Sequence, residues 1–165
     1  MDLPFLKLHP DAVMPRYSSD EAACVDFFCV AGLHGLPDPP PFDRAVLDSW
    51  VMAEERGHYI LEPGALQVVR TGVAMAIPAG FTCKLEERSS QARSQLYVHG
   101  GRIDADYRGE WFVLLQNHGR FSHTLMIGDR VCQGLYTSKV RVSYVPVDVL
   151  PATSRGAGGF GSTGK

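Results

Sequence analysis

Along this chain the apolar positions mostly alternate with polar ones or gather into short runs. Only one segment stretches to the spacing of a helix. Residues 3–8 alternate weakly and predict a first strand, and Pro10 and Pro15 bracket the connection after it. Residues 22–30 form an almost unbroken apolar run crossed by one charge, Asp26. Its length and its β-branched and aromatic members predict a strand. Residues 67–77, 81–85 and 95–98 read as further short strands set apart by Gly or Pro, with more at 111–117, 121–127, 131–137 and 139–147. The exception is 43–56, where Ala45, Val46, Trp50 and Val51 recur at helical spacing. Asp43 is placed to cap its start and Gly57 to end it. A loop rich in Gly and Pro, 32–41, leads into it. Many short strands and one helix predict an all-β, jelly-roll-like domain.

Composition narrows the class without naming a function. A chain of 165 residues, 45% hydrophobic and 21% charged, fits one soluble domain with a proper core. A net charge of −2 gives no general attraction to nucleic acid or to an anionic membrane, so neither is expected as a partner. No apolar run has the length of a membrane span, and the start of the chain lacks a basic region followed by an apolar one. A cytoplasmic location is the expectation. Cys24, Cys29, Cys83 and Cys132 form no Cys-x-x-Cys pair and lie in apolar segments, which predicts reduced, buried thiols rather than a zinc site.

The candidate chemistry lies in two places. Gly100-Gly101-Arg102-Ile103-Asp104-Ala105-Asp106-Tyr107-Arg108-Gly109-Glu110-Trp111 reads as strand, tight turn, strand, with two carboxylates and a tyrosine at the bend. A carboxylate held there is placed to take a proton from water or to meet a hydrated cation. The end of the chain carries glycines at 156, 158, 159, 161 and 164, with Arg155, Phe160, Ser162 and Thr163 among them. Composition alone allows a disordered tail. The same residues suit a phosphate-gripping arm: glycine amides can converge on an anion, Arg and hydroxyls add donors, and Phe160 offers a flat face for a base. Asp26, alone in an apolar run, must be paired or belong to a site.

Five separated segments, in order, resemble the signature motifs of the homotrimeric dUTP pyrophosphatase (dUTPase) family. They are Ala22-Ala23-Cys24-Val25-Asp26-Phe27, Arg88-Ser89-Ser90, Gly101 to Gly109 around Ile103-Asp104-Ala105-Asp106-Tyr107, Gly128-Asp129-Arg130-Val131-Cys132-Gln133, and Arg155 to Gly164. The third and fifth match most closely. In the first, Ala23 or Cys24 stands where Gly is common and Phe27 replaces Leu. The resemblance implies a β-clip, jelly-roll-like subunit, a homotrimer with shared active sites, and Mg²⁺-assisted hydrolysis of dUTP to dUMP and pyrophosphate. It implies Asp104 as the base that activates water and Tyr107 as the platform under the deoxyribose. Arg88, Ser89, Ser90 and Gln133 would contact the phosphate chain. Gly101 and Ile103 belong to the nucleoside-binding segment. Arg155, Gly161, Ser162 and Thr163 would grip the terminal phosphates, Phe160 would stack on the base, and Asp26 would help hold magnesium through water. Arg130 is expected to pair with Asp129 or with a neighbouring subunit. On this view residues 1–150 form the β domain and 151–165 an arm that closes over the site.

The chain departs from the family in two ways. Residues 34–58, including the helix, exceed what compact members carry, and are either docked on the body or exposed for a protein partner. The base-reading stretch Val98-His99-Gly100-Gly101 lacks an amide side chain, so backbone groups would read uracil. The sibling dCTP deaminases resemble the same fold, but the position of their catalytic Glu aligns with Leu114, which cannot shuttle a proton. A nucleotide-gated regulatory module is the reading outside enzymology.

Overall fold

The computed structural model describes residues 2–158. The strands and helices follow in chain order: β1 (Phe5–Lys7), β2 (Arg16–Tyr17), β3 (Val25–Phe28), α1 (Arg44–Arg56), β4 (His58–Leu61), β5 (Leu66–Arg70), β6 (Val73–Met75), β7 (Phe81–Glu86), α2 (Ser89–Arg93), β8 (Leu96–His99), β9 (Arg102–Ile103), β10 (Phe112–Asn117), β11 (His123–Met126) and β12 (Arg130–Ser138). They pair antiparallel throughout. The larger sheet has the order β2-β3-β12-β7-β9 and a second has β5-β10-β8, with two-stranded ribbons β1-β6 and β11-β4. This is the expected all-β fold with one inserted helix. Along β10 the buried positions alternate as Val113, Leu115 and Asn117, the period-two pattern of a strand with one face on the core. Trp111 stacks on Phe27 at 5.3 Å between centroids, and both are fully buried.

Helix α1 forms where the periodicity places it. Asp43 accepts a hydrogen bond from the Val46 amide at 3.0 Å, and Gly57 closes the helix in the left-handed conformation, φ 78°. The helix is docked. Trp50 is wholly buried and its indole N–H donates to the Val68 carbonyl at 2.7 Å. Behind it, the fully buried Arg70 donates to the carbonyls of Gly32 (2.6 Å) and His34 (2.9 Å) and to the Glu110 carboxylate (2.7 Å). The inserted segment is therefore tied to β5 at its start and at its helix.

Four expectations need correction. Residues 139–147 form no strand; beyond the bond from Lys139 N to Gly80 O at 2.8 Å the segment joins no sheet, and Val140, Val142 and Tyr144 are 86%, 66% and 93% exposed. Its alternation is real, but a strand needs an edge to pair with. The span 67–77 is two strands, because the chain changes sheet at Thr71-Gly72: β5 pairs with β10 and β6 with β1. The bend at 104–107 does not join a hairpin. β9 pairs with β7 in the larger sheet, whereas β10 pairs with β5 and β8. Cys24 is partly exposed and its thiol points to Glu86, while the other three cysteines are buried. Burial pushes the Cys29 and Cys83 thiols up to about 12, so both stay protonated. Among the described residues no helix is long and apolar enough to cross a membrane.

His9 gives the fold a pH dependence. It is 5% exposed, its Nδ1 accepts from the Asp11 amide at 3.2 Å, and its Nε2 has no hydrogen-bond partner among the described residues. Burial first, and the nearby Arg70 charge second, lower its pKa below 6.5. A folded pKa below the unfolded one means that the unfolded chain takes the proton first. The stabilising contribution of neutral His9 is complete above pH 6.5 and is lost as pH falls below it. Urea unfolding at pH 7.5 and pH 5.5 is expected to show lower stability at the acid end, and His9→Gln is expected to shrink that difference. An unchanged difference in the variant would show that the pH dependence arises elsewhere.

Candidate active site

Most of the expected site residues that the structure describes fall into two hollows, whose linings have no residue in common. The first, about 350 Å³, is lined by Gly100, Arg102, Ile103, Asp104, Tyr107 and Glu110, together with Phe42, Val68, Phe112 and Leu114. The chain crosses here from one sheet to the other. Ala105 is buried, and the carboxylates on either side of it diverge. Asp104 lines this hollow, whereas Asp106 lines a different cleft with Arg108, Lys139 and Arg141. The Tyr107 hydroxyl donates to the Glu110 carbonyl at 2.9 Å, which fixes the ring while leaving it 41% exposed. Burial pushes the phenol pKa up, so the hydroxyl remains a donor. Gly101 is required by close approach: its carbonyl accepts from Leu85 N at 2.6 Å, and a Cβ there would sit 2.2 Å from the Leu85 oxygen.

The second hollow, about 330 Å³, gathers Asp26, Arg88, Ser89 and Gln133 with Ser18, Ala22, Ala23 and Cys24. Strand pairing brings the parts together: Gln133 on β12 lies opposite Asp26 on β3 and Glu86 on β7. Asp26, 7% exposed, is satisfied by two guanidiniums, Arg88 Nε at 2.9 Å and Arg130 Nη1 at 3.4 Å. This corrects Asp129 as the expected partner of Arg130, since Asp129 instead accepts from the Met126 amide in the turn before β12; the alternative in a neighbouring subunit is untouched. Arg88 is half-buried and opens α2, whose Gln91 side chain accepts from Arg88 N and donates to Val131 O. Gln133 Nε2 donates to the Glu87 carbonyl at 3.2 Å. Ser90 is exposed on α2 and does not line the hollow. The result is a cleft with cationic and hydroxyl donors and a carboxylate that is already neutralised. Such a cleft can accept a polyanion. Among the described residues no cluster of three His, Cys, Asp or Glu side chains is placed to hold a metal.

Arg155 lies on the exposed tail, where its Nε donates to Gly158 O at 2.8 Å, and it lines neither hollow. Phe160, Gly161, Ser162 and Thr163 lie outside the described residues.

The dUTPase family model matches residues 54–164 of the chain. The deoxyuridine 5'-triphosphate nucleotidohydrolase of Wolinella succinogenes is 37% identical, across 100% of this chain and 95% of its own. The enzyme of the same name from Nautilia profundicola is 33% identical, with both chains fully covered. The chain belongs to the dUTPase family. Its fold is also that of a Staphylococcus bacteriophage 80alpha dUTPase mutant solved with dUpNHpp, with a TM-score of 0.78, 21% identity and 99% of each chain covered. A mutant dUTPase of the S. aureus phage phi11, described with a structural Mg(II) ion, matches with a TM-score of 0.69 at 19% identity over 90% of this chain and 98% of that one.

Within this family member, the apolar side of the Asp104 hollow was not legible from the motifs. Val68, Phe112 and Leu114 looked like ordinary strand residues, and Phe42 comes from the insert. Arg130 belongs to the Asp26 cluster, a contact that only the pairing of β3 with β12 reveals. Leu114, at the position aligned with the deaminase carboxylate, does line the Asp104 hollow and supplies no ionisable group there.

Proposed function

We propose that the chain is a dUTP diphosphatase, hydrolysing dUTP to dUMP and pyrophosphate. The observation that carries this reading is the pocket that unites Asp104 with the half-exposed face of Tyr107 and with Leu114. A nucleoside placed there rests its sugar on the Tyr107 ring and meets backbone at Gly100, Gly101 and Ile103. Asp104 accepts a proton from water as the water oxygen bonds to the α-phosphorus. The bond from that phosphorus to the β-phosphoryl oxygen breaks, and pyrophosphate leaves. Phosphoryl transfer asks a protein mainly for positioning and charge neutralisation. Arg88, Ser89 and Gln133 serve the phosphates, joined by Arg155, Gly161, Ser162 and Thr163 of the arm, while Phe160 covers the base.

Mg²⁺ fits this arrangement as an ion carried largely by substrate phosphates and water, which needs few protein carboxylates. Bound there, it would neutralise phosphate charge. Asp26, with an oxygen on each of two arginines, would act on it only through water, and mainly keeps Arg88 and Arg130 in place. The separation of the Asp104 and Asp26 hollows supports a homotrimer in which one subunit lends its phosphate cleft to a neighbour's nucleoside pocket. The extended apolar-alternating segment 139–150, exposed in a single subunit, supports association as well. A cytoplasmic location accords with free, protonated thiols.

Pyrophosphate release with Mg²⁺ over dUTP, dCTP, dTTP and UTP tests the reading. Release from dUTP in strong preference to the others is the expected result. Ammonia from dCTP, or no release from dUTP, would overturn it. Sedimentation is expected to give three subunits, and a mass near one subunit in a fully active sample would sink the shared-site arrangement.

A further inference from the structure

The apolar wall of the Asp104 pocket comes from none of the five motifs, and one of its residues comes from the inserted segment. That residue is Phe42, immediately before the cap of α1. Its ring meets Phe112 edge-on at 4.7 Å and Trp50 at 5.0 Å, and Trp50 stacks flat on Phe112 at 5.6 Å. Phe42 and Phe112 both line the pocket, while Trp50 lies wholly buried behind them. We infer that Phe42 is a substrate-contacting residue, and that the insert exists in part to complete the nucleoside pocket. The inference rests on the reading of this pocket as the nucleoside site.

The position of Phe42 is set from both sides. Asp43 next to it is fixed by the bond from Val46 N, and the first turn of α1 is thereby anchored. Trp50 is pinned by the Val68 carbonyl, and the Arg70 guanidinium lies 5.5 Å from its ring centroid. Arg70 also holds the Gly32 and His34 carbonyls at the start of the insert. A ring held this way is preorganised, so little side-chain freedom is lost when a ligand packs against it. The chemistry of the wall is apolar: Phe42, Val68, Phe112 and Leu114 present no hydrogen-bonding side chain. The polar side of the pocket lies at Gly100, Arg102, Asp104 and Glu110. A pyrimidine deoxynucleoside has the matching division, with flat apolar faces and a polar edge. Phe42 thus acts on the nucleoside and not on the phosphates.

The test separates binding from folding. Calorimetric titration of the folded Phe42→Ala chain is expected to give about tenfold weaker binding of dUMP and a similar factor for a non-hydrolysable dUTP analogue. Inhibition by inorganic pyrophosphate is expected to be unchanged. Arg44→Ala, on the exposed side of the same helix, is expected to bind like the unaltered chain. Where Phe42→Ala fails to fold, Phe42→Leu is expected to show a smaller loss in the same direction. Unchanged dUMP affinity in either folded variant would overturn the inference, as would an equal loss of pyrophosphate affinity. The unaltered chain is assayed first. If it releases no pyrophosphate from dUTP, the functional reading fails; if it is active and the variants bind normally, only the role of Phe42 fails.

Discussion

Replacing Asp104 by Asn is expected to lower kcat for dUTP hydrolysis by about 10²–10⁴-fold, the usual worth of a positioned general base. The fold and the affinity for a non-hydrolysable dUTP analogue are expected to stay close to those of the unaltered chain. The physical grounds are local. Asp104 is exposed in the pocket, and the turn it begins is held by backbone, with its own carbonyl accepting from Tyr107 N at 3.2 Å. An amide of the same shape keeps that turn but cannot take a proton from water. Asp106, two residues on, is the matched comparison. It has the same chemistry, lies on the same loop and faces a different cleft with Arg108, Lys139 and Arg141. Asp106→Asn is expected to change kcat by less than about tenfold. Steady-state kinetics with both variants decide the matter. Comparable activity in Asp104→Asn, or an equal loss in Asp106→Asn, would remove Asp104 from the role of base.

The contrast between these carboxylates shows what the sequence can and cannot carry. The Asp-x-Asp-Tyr stretch announces a site, but its spacing does not say which acid faces the substrate. That follows from Ala105, which the core takes in, and from the change of sheet between β9 and β10. Helix α1 was legible to within a residue, because its cap, its periodicity and its terminal glycine are all local signals. The short strands were legible as strands, but not in their pairing. Register is decided by partners far away in sequence, so the bend at 104–107 looked like a hairpin. Segment 139–147 failed for the opposite reason. Its alternation is that of a strand, and in a single subunit no edge receives it. The need of Asp26 for a partner is legible in its apolar surroundings. That Arg88 and Arg130, 62 and 104 residues away, both supply one follows from β3 lying beside β12 and β12 beside β7, which leads into Arg88.

Arg70→Ala is expected to destabilise the fold by about 3–5 kcal/mol, the cost of leaving one member of a buried ion pair alone. Arg70 has no exposed surface and Glu110 is 5% exposed. Every oxygen of Glu110 is in use, with Oε1 accepting from Gly72 N at 2.7 Å and from Arg70 Nε at 3.1 Å, and Oε2 from Arg70 Nη2 at 2.7 Å. Removing the guanidinium strands that carboxylate and the carbonyls of Gly32 and His34 together. For a chain of this length the loss corresponds to a fall in Tm of about 10 °C. The double change Arg70→Met with Glu110→Leu removes both charges and is expected to recover much of the stability, since an apolar pair can replace a buried ion pair at little cost. It is not expected to restore the insert, whose carbonyls still lack a donor. Limited proteolysis near 32–42 is therefore expected in the double variant even where its Tm approaches normal. Because Glu110 also offers its main-chain carbonyl to Tyr107, and the insert carries Phe42, KM for dUTP is expected to rise in the same variant. A double variant with normal KM and a protease-resistant insert would mean that Arg70 contributes to stability alone and holds neither side of the pocket.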